Sequence, residues 1–324
     1  MLITSFLYHL FFPRTQNTTF YNVNITFPKF KFVCNFLGSP FVQMLVHKYW
    51  AVPEVTYKKH YIWFSDGVPC RLDVCKCVSK SNTKGTIVVF HGLGGNSESA
   101  YCKRTVDEFL KDYNIIIFNR RAHVPESFSS HPPTHYDKAD IEVVTRYIKN
   151  TYGSLPIYAF GVSGGANHLL NYVADSGTSC IFKKVMVCGN GWDYDIATQA
   201  TRLGSTLCKF SESAYKNIVY GERFFGFKNF RKQEEAVCEC ENESLTDYYK
   251  RISVIHKIKN IVVPTLCLDS LDDPFYVHPP ERVVNENPNI SFIYTSHGSH
   301  IAWVESLFPF RVYYTKVFRM WMCC

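Results

Sequence analysis

One serine, set between glycines, is the residue of this chain best placed for covalent chemistry. It lies in the G-x-S-x-G pattern Gly161-Val162-Ser163-Gly164-Gly165, directly after the apolar run at 156–160 and before a helix-like segment at 167–174. A tight strand-to-helix turn needs small neighbours, because the adjacent backbone comes close, and it places the hydroxyl at the positive end of a helix. In this setting the pattern predicts that Ser163 is the nucleophile of an acyl-transfer reaction.

Such a serine needs a base to accept its proton and an acid to orient that base. In the strand–turn–helix arrangement, the acid and then a histidine follow the serine in the chain, each after a later strand. The loop at 268–274 carries the acid candidates. Asp273 is predicted as the acid because it precedes Pro274 at the loop tip, and Asp272 is the alternative.

The loop after the last apolar run supplies two histidines. His300 is predicted as the base in preference to His297, because Gly298 and Ser299 form a turn and a helix-like run is expected from Ile301 onward. The order of serine, acid and histidine along the chain is the one that the strand–turn–helix arrangement requires.

Backbone N–H groups must also stabilise the negative oxygen that forms during attack. One donor is expected at Gly164, directly after the nucleophile, and a second at Leu93 in the glycine-rich loop at 91–95. The same loop would suit a plain turn or a phosphate site. No G-x-x-x-x-G-K-[ST] or G-x-G-x-x-G pattern is present, which disfavours nucleotide binding.

The elements that must position these residues alternate between short apolar runs and amphipathic stretches. Buried strands are expected at 86–90, 114–118, 156–160, 185–188, 263–268 and 290–294, and helices at 140–148 and 167–174. This alternation predicts an α/β domain with a mostly parallel, doubly wound sheet and helices on both faces. A hairpin is expected from 61–64 and 71–74.

Two segments depart from the alternation. Residues 190–260 are polar and aromatic without a clear strand, which predicts a helical lid inserted into a domain of residues 51–324. Residues 1–50 are expected to be an N-terminal apolar arm or membrane-associating segment. Its apolar run at 1–12 is shorter than the ~20 residues of a bilayer-spanning helix, so an interfacial anchor is favoured over an arm folded onto the domain.

Composition narrows the classes of partner. The net charge of +7 is spread without a long basic run, which argues against nucleic acid. The 26 Phe and 21 Tyr suit an apolar substrate pocket, a membrane-facing surface or an aromatic-rich core. The C-x-C pairs Cys75–Cys77 and Cys238–Cys240 lack the spacing of zinc knuckles, so a metal site is not expected.

Several motifs together resemble one known family. They are FHGLGG at 90–95, FNRR at 118–121, GVSGGAN at 161–167 with LNY at 170–172, DYY at 247–249 with Ser253, PTL at 264–266, DDPF at 272–275 and HGSH at 297–300. The chain resembles the YheT-like branch of the α/β-hydrolase superfamily, the group that includes the ABHD membrane-associated lipases. The similarity extends over residues 50–310 and implies the α/β-hydrolase fold.

The resemblance also implies an activity. Members cleave carboxylic esters, including acylglycerols and phospholipids, and their catalytic triad would correspond to Ser163, Asp273 and His300. The chain departs from the family in its short apolar start, in Ala122 where a glycine is usual, and in Gly164 where a bulkier residue is usual. The two substitutions are expected to reshape the acyl pocket.

We therefore expect a serine esterase or lipase that needs no cofactor and takes a small ester or lipid, with a membrane surface as a further partner. Membrane association at the cytosolic or endoplasmic reticulum face is favoured over a soluble cytoplasmic location. Two alternatives stay open: an acyltransferase using the same acyl-enzyme, and a non-catalytic homologue that binds lipid. The hypothesis of a cysteine- or zinc-based protein is supported by the number of cysteines alone.

Overall fold

The computed structural model describes residues 14–15, 17–32, 38–200, 203–275 and 281–324. The apolar run at 1–12, predicted to be an interfacial anchor, lies outside the described residues. The strands are β1 Arg14–Thr15, β2 Thr18–Tyr21, β3 Lys31–Phe32, β4 Lys58–Trp63, β5 Pro69–Cys75, β6 Thr86–Phe90, β7 Asn114–Phe118, β8 Ile157–Val162, β9 Lys184–Cys188, β10 Thr265–Ser270, β11 Ile290–Thr295, β12 Val304–Leu307 and β13 Phe310–Val312. The helices are α1 Pro40–Tyr49, α2 Ala100–Phe109, α3 Lys138–Tyr152, α4 Gly164–Ser176, α5 Tyr194–Ala200, α6 Gly204–Tyr215, α7 Phe230–Cys240, α8 Leu245–Ile252, α9 Glu281–Glu286 and α10 Tyr313–Cys323.

Nine of the strands form one sheet in the order β2-β11-β10-β9-β8-β6-β7-β5-β4. The six from β11 to β7 run parallel, whereas β2, β5 and β4 join antiparallel at the two sides. The chain proceeds outward from β6 in both directions, so the strand order reverses between β6 and β8. Ligands of open α/β sheets bind at such a reversal, beyond the carboxyl ends of the strands.

The core consists of two layers, one on each face of the sheet. In β6, Val88 and Phe90 pack on the side of α3 and α4, while Ile87 and Val89 pack on the side of α2 and α10. All four side chains are fully buried, as expected for a strand covered on both faces. This burial explains why the continuous β-branched runs predicted the central strands.

The segment between β9 and β10, predicted to be a helical lid, contains α5 to α8. Its end is fastened to α4 by two amides, because Asn167 and Asn171 both donate to the carbonyl of Ile252, over 3.0 and 2.8 Å. Tyr194 N–H donates to Ser253 Oγ over 2.9 Å. These contacts give several of the family motifs a structural role at the base of the insertion.

Two regions differ from the expectations. The helix expected from Ile301 is absent: Val304–Leu307 forms β12, and α10 begins only at Tyr313. Val304 pairs with Val312 and Leu307 with Phe310, so β12 and β13 form an antiparallel hairpin where the helix was expected. Within residues 1–50, β2 pairs with β11 as a strand of the main sheet, which the prediction of an N-terminal arm did not anticipate.

Within the described part of the chain, no helix combines the length and the apolar character needed to cross a bilayer.

Candidate active site

Ser163 lies on the sharp turn between β8 and α4. Its φ of 55° falls in the left-handed region, which costs a non-glycine residue ~1 kcal/mol or more. Its N–H donates to the carbonyl of Cys188 over 2.9 Å, which ties the turn to β9. A Cβ at Gly165 would lie 2.2 Å from the carbonyl oxygen of Phe90, so only glycine lets α4 pass this close to β6. The turn thus has the geometry that the G-x-S-x-G pattern predicted.

The structure brings Ser163, His300 and Asp273 into one hydrogen-bonded chain. His300 Nε2 lies 2.8 Å from Ser163 Oγ, and His300 Nδ1 lies 2.7 Å from Asp273 Oδ2. The carboxylate can only accept, so Nδ1 carries the proton and Nε2 can accept one from the serine. The side chains of His300 and Asp273 are 8% and 7% exposed, which keeps this chain largely out of water.

The two neighbouring aspartates have separate partners. Asp273 uses Oδ2 for His300 and accepts at Oδ1 from the N–H of Phe275 over 2.8 Å. Asp272, the alternative acid, accepts from Gln43 Nε2 over 3.1 Å and from Ser299 N–H over 2.7 Å, and it also contacts Ser270 Oγ. Asp272 therefore holds the loop that carries His300, while Asp273 bonds to the histidine ring.

His297, the alternative base, lies next to Ser296 Oγ at 3.2 Å from its Nδ1. His300 occupies the position beside Ser163 that the alternative would have needed. The ring of Phe275 packs edge-on against the imidazole of His300 at 4.9 Å between centroids, which limits its rotation.

The predicted oxyanion donors lie side by side. Gly164 is the first residue of α4, so its N–H has no acceptor within the helix. The Leu93 nitrogen lies 3.3 Å from the position that a Cβ on Gly164 would take, and Arg120 Nη1 and His135 Nδ1 lie 3.5 and 3.6 Å from that position. A bulkier side chain at residue 164 would therefore crowd the donors, whereas glycine leaves space beside them.

His91 fixes the loop that carries Leu93. Its Nε2 accepts from Arg120 N–H over 3.0 Å, so Nδ1 carries the proton and donates to the carbonyl of Gly92 over 2.9 Å. Complete burial, with a contribution from the charge of Arg120, lowers the pKa of His91 to about 3. The ring consequently stays neutral and keeps this bonding pattern at physiological pH.

Two residues beside the hydrogen-bonded chain of Ser163, His300 and Asp273 have no role predicted from the sequence. Asp269, at the end of β10, accepts from Gly189 N–H over 3.1 Å. Burial, and secondly the charge of Asp273, raise the pKa of Asp269 to about 7. Gly189 has a φ of 63°, and a Cβ there would lie 3.0 Å from His300 Nδ1. Neither residue belongs to a recognisable motif, so the sequence carried no signal that could have found them.

A largely apolar cavity of about 590 Å³ opens at Ser163 and His300. Its walls come from the glycine-rich loop that carries Leu93, from α1 and from α6, and include Met44, Leu45, Tyr49, Leu207 and Phe210. The residues found to line it do not include Ala122, which packs instead with Tyr215, Ile218, Phe224 and Val237. Ala122 has a φ of 59°, a conformation that suits the glycine usual in the family.

The described residues give little support to a cysteine-based or zinc-based reaction. Among the described residues, no three His, Cys, Asp or Glu side chains are grouped so that they could hold a metal ion. The described cysteines are all free thiols. Burial raises the pKa of Cys188 and Cys267 well above the ordinary thiol value, which suppresses the reactive thiolate.

Comparisons with known proteins bear on the fold and on the family that the chain resembles. A family model described as the alpha/beta hydrolase fold matches residues 85–206. The chain is 26% identical to the human protein Phospholipase ABHD3, with 83% of this chain and 72% of the relative covered. It is 24% identical to Monoacylglycerol lipase ABHD2 of Danio rerio, over 78% of this chain and 66% of the relative.

Solved structures show the same fold at low sequence identity. A soluble variant of monoglyceride lipase from Saccharomyces cerevisiae aligns with a TM-score of 0.55 and 14% identity, over 85% of this chain and 96% of the other. Est1E from Butyrivibrio proteoclasticus aligns with a TM-score of 0.54 and 16% identity, over 82% and 98%. The chain therefore has the α/β-hydrolase fold, and its predicted resemblance to the ABHD branch of that superfamily is confirmed.

Proposed function

We propose that this enzyme hydrolyses carboxylic esters of lipid type through an acyl-enzyme on Ser163, with His300 as the base and Asp273 as the orienting acid. The hydrogen-bonded chain from Ser163 Oγ to Asp273 Oδ2 carries the proposal. Its position on the turn at the start of α4, beside an apolar cavity, supports the same conclusion. An ester-hydrolysing enzyme also agrees with the names of the relatives.

Each step of the reaction has a group in place. His300 Nε2 takes the proton of Ser163 as the oxygen attacks the ester carbonyl, and the Leu93 and Gly164 N–H groups stabilise the resulting oxyanion. Collapse of the tetrahedral intermediate breaks the ester bond, and His300 gives its proton to the departing alcohol. Water, deprotonated by His300, then attacks the acyl-enzyme and releases the acid.

The chemistry of the cavity favours an aliphatic acyl group. Met44, Leu45, Leu207, Phe210 and Phe275 contribute apolar surface around the serine. Burying a methylene group against such surface is worth ~0.8 kcal/mol, so each added carbon favours binding until the cavity is filled. We therefore propose lipid esters as the substrates, in preference to charged or strongly polar esters.

Labelling by a fluorophosphonate probe tests the proposal directly, because the probe reacts only with an activated serine. Wild-type protein should be labelled, and the Ser163→Ala and His300→Ala variants should not. His297→Ala is the matched control, since it removes a neighbouring histidine that lies next to Ser296. Absence of labelling in folded wild-type protein would contradict the proposed triad and favour a non-catalytic lipid-binding homologue.

Acyl transfer to an alcohol is a second candidate. The chain is 22% identical to the Saccharomyces cerevisiae protein named Medium-chain fatty acid ethyl ester synthase/esterase 2, over 68% of this chain and 58% of the relative. An alcohol in place of water would attack the same acyl-enzyme and release a new ester. Product analysis with and without added ethanol separates the two activities: a hydrolase forms mainly free acid at modest ethanol concentrations, whereas a transferase forms mainly ethyl ester.

A further inference from the structure

Helix α1 presents large apolar side chains to solvent. Phe41, Leu45 and Tyr49 are spaced four residues apart and are 49%, 57% and 68% exposed. This spacing places them on one side of the helix. Gln43 and His47 are 0% and 2% exposed, so two of the polar residues point inward while the largest apolar residues point outward. An outward stripe of this kind is the opposite of what a helix in water normally presents.

The inward contacts of α1 explain this orientation. Gln43 Nε2 donates to Asp272 Oδ2 over 3.1 Å, and a ring nitrogen of His47 lies 3.1 Å from the hydroxyl of Tyr314. Arg104 Nη2 donates to the carbonyls of His47 and Trp50 over 3.0 and 2.6 Å, which holds the end of the helix in place. The outward face therefore results from fixed inward bonds, not from a loosely attached helix.

The exposed face borders the opening of the cavity. Leu45 and Tyr49 line the cavity that contains Ser163. Trp50 continues the apolar surface, with its ring 5.5 Å from that of Phe308, which is 79% exposed. On the other wall, Phe210 of α6 is 37% exposed. We call the exposed side chains of Phe41, Leu45, Tyr49, Trp50 and Phe308 the α1 face.

We propose that the α1 face docks on a lipid surface and seats the cavity mouth against it; this inference rests on the proposed function. An acyl chain could then pass from the lipid layer to Ser163 along continuous apolar surface, without crossing water. Lys48 is exposed on the same helix, where its ammonium group could meet lipid phosphates. A protein seated on this face would instead block the mouth, so a lipid surface is the occupant that suits the site.

Tryptophan fluorescence tests the placement, because bromine on lipid acyl chains quenches only indoles that enter the bilayer. Trp50 and Trp63 are 42% and 62% exposed, whereas Trp192, Trp303 and Trp321 are buried. Vesicles of brominated phosphatidylcholine should quench wild-type protein more than unbrominated vesicles do. The difference should persist in Trp63→Phe and disappear in Trp50→Phe. Its absence in wild-type protein, or its persistence in Trp50→Phe, would overturn the proposal.

Partitioning onto phosphatidylcholine vesicles tests how much the exposed apolar side chains of the α1 face contribute to lipid binding. The double variant Phe41→Ser and Phe308→Ser removes two side chains that are outside the cavity lining, so hydrolysis of a soluble short-chain ester should be unchanged. Its binding to vesicles should be at least about tenfold weaker than that of wild-type protein, given the apolar area removed. Equal binding by variant and wild type would overturn the proposal.

A control pair lies at the opposite edge of the sheet. Val78 follows the antiparallel strand β5 and Leu155 precedes the parallel strand β8, and the two are 71% and 38% exposed. The double variant Val78→Ser and Leu155→Ser should bind vesicles as wild-type protein does. If this control variant lost as much vesicle binding as the α1 variant, binding would depend on exposed apolar surface in general. That result would overturn the proposal that docking is localised to the α1 face.

The two proposals fail separately. Vesicle binding needs no catalysis, so the Ser163→Ala protein should still dock and show quenching of Trp50. Docking without any ester hydrolysis would refute the proposed function alone. Hydrolysis of soluble esters without docking would refute the α1 face alone.

Discussion

Replacing each of the two adjacent aspartates by asparagine distinguishes the proposed catalytic acid, Asp273, from its neighbour, Asp272. The exchange keeps the size of the side chain and removes its charge. Asp273 bonds directly to His300 Nδ1, whereas Asp272 bonds to Gln43, Ser299 and Ser270. The two variants should therefore fail in different measurements, one in rate and the other in stability.

The expected size of each effect follows from the contacts. In Asp273→Asn, the neutral amide could not stabilise the imidazolium and would favour the wrong tautomer of His300, for which a loss of about 10³–10⁴ in kcat is expected by analogy with other triads. This loss corresponds to ~4–5.5 kcal/mol in the activation free energy. In Asp272→Asn, the hydrogen bonds lose their charged acceptor at ~1 kcal/mol each, so the free energy of unfolding should fall by ~2–4 kcal/mol.

The assays are turnover of a soluble p-nitrophenyl ester and unfolding in urea, both on the same preparations. Asp273→Asn should lose activity while its urea midpoint changes little, and Asp272→Asn should keep activity within about tenfold while its midpoint falls. The reasoning is refuted if Asp272→Asn loses more turnover than Asp273→Asn at an unchanged midpoint. That result would assign the catalytic acid to Asp272.

Two further predictions concern residues beside the triad. Gly189→Ala should lower turnover about a hundredfold or more in a folded protein, because the new Cβ would lie 2.8 Å from the His300 carbonyl oxygen and 3.0 Å from its ring. Circular dichroism checks that the variant is folded. Near-normal turnover of the folded variant would contradict this reasoning. Asp269→Asn should raise the free energy of unfolding by ~2–4 kcal/mol at pH 8 and by much less at pH 5. The sign follows from the raised pKa of about 7 against 3.8: the folded wild type retains a proton that the unfolded chain releases, so wild-type stability falls as the pH rises through that range. Urea unfolding at the two pH values measures the difference, and a variant less stable than wild type at pH 8 would refute it.

The central strands and the serine turn could be predicted because their signals are local. Strand β6 consists of consecutive buried residues in a β-branched run, and β7 repeats the pattern. The glycines around Ser163 reflect close contacts with β6, the neighbouring strand in the sheet. A Cβ on Gly165 would lie 2.2 Å from the carbonyl oxygen of Phe90. The glycine motif is a local signal in the chain, although the contact that requires Gly165 is with Phe90 of β6, a strand distant in the chain.

The choice between Asp272 and Asp273 could not be derived in the same way. Both stand in one loop before Pro274, and the structure separates them through Gln43, which lies 229 residues away, and Ser299, 27 residues away. The prediction of His300 as the base includes a helix from Ile301 onward, and that helix is absent. His300 Nε2 nevertheless lies 2.8 Å from Ser163 Oγ without that helix.

Helix α1 was not predicted from the sequence, because its residues do not show the purely apolar inward face of an amphipathic helix. Its inner side mixes Val42 and Val46 with Gln43 and His47, and the polar pair is retained by partners more than 200 residues away. Those partners account for the polar residues inside, but they do not account for Phe41 and the other large apolar side chains outside. Polar residues at the outward positions would leave every inward bond intact and would suit water better. The apolar α1 face exposes hydrophobic surface to water beside the opening to Ser163. Docking on a lipid layer, from which the substrate would enter the cavity, explains why the face is apolar.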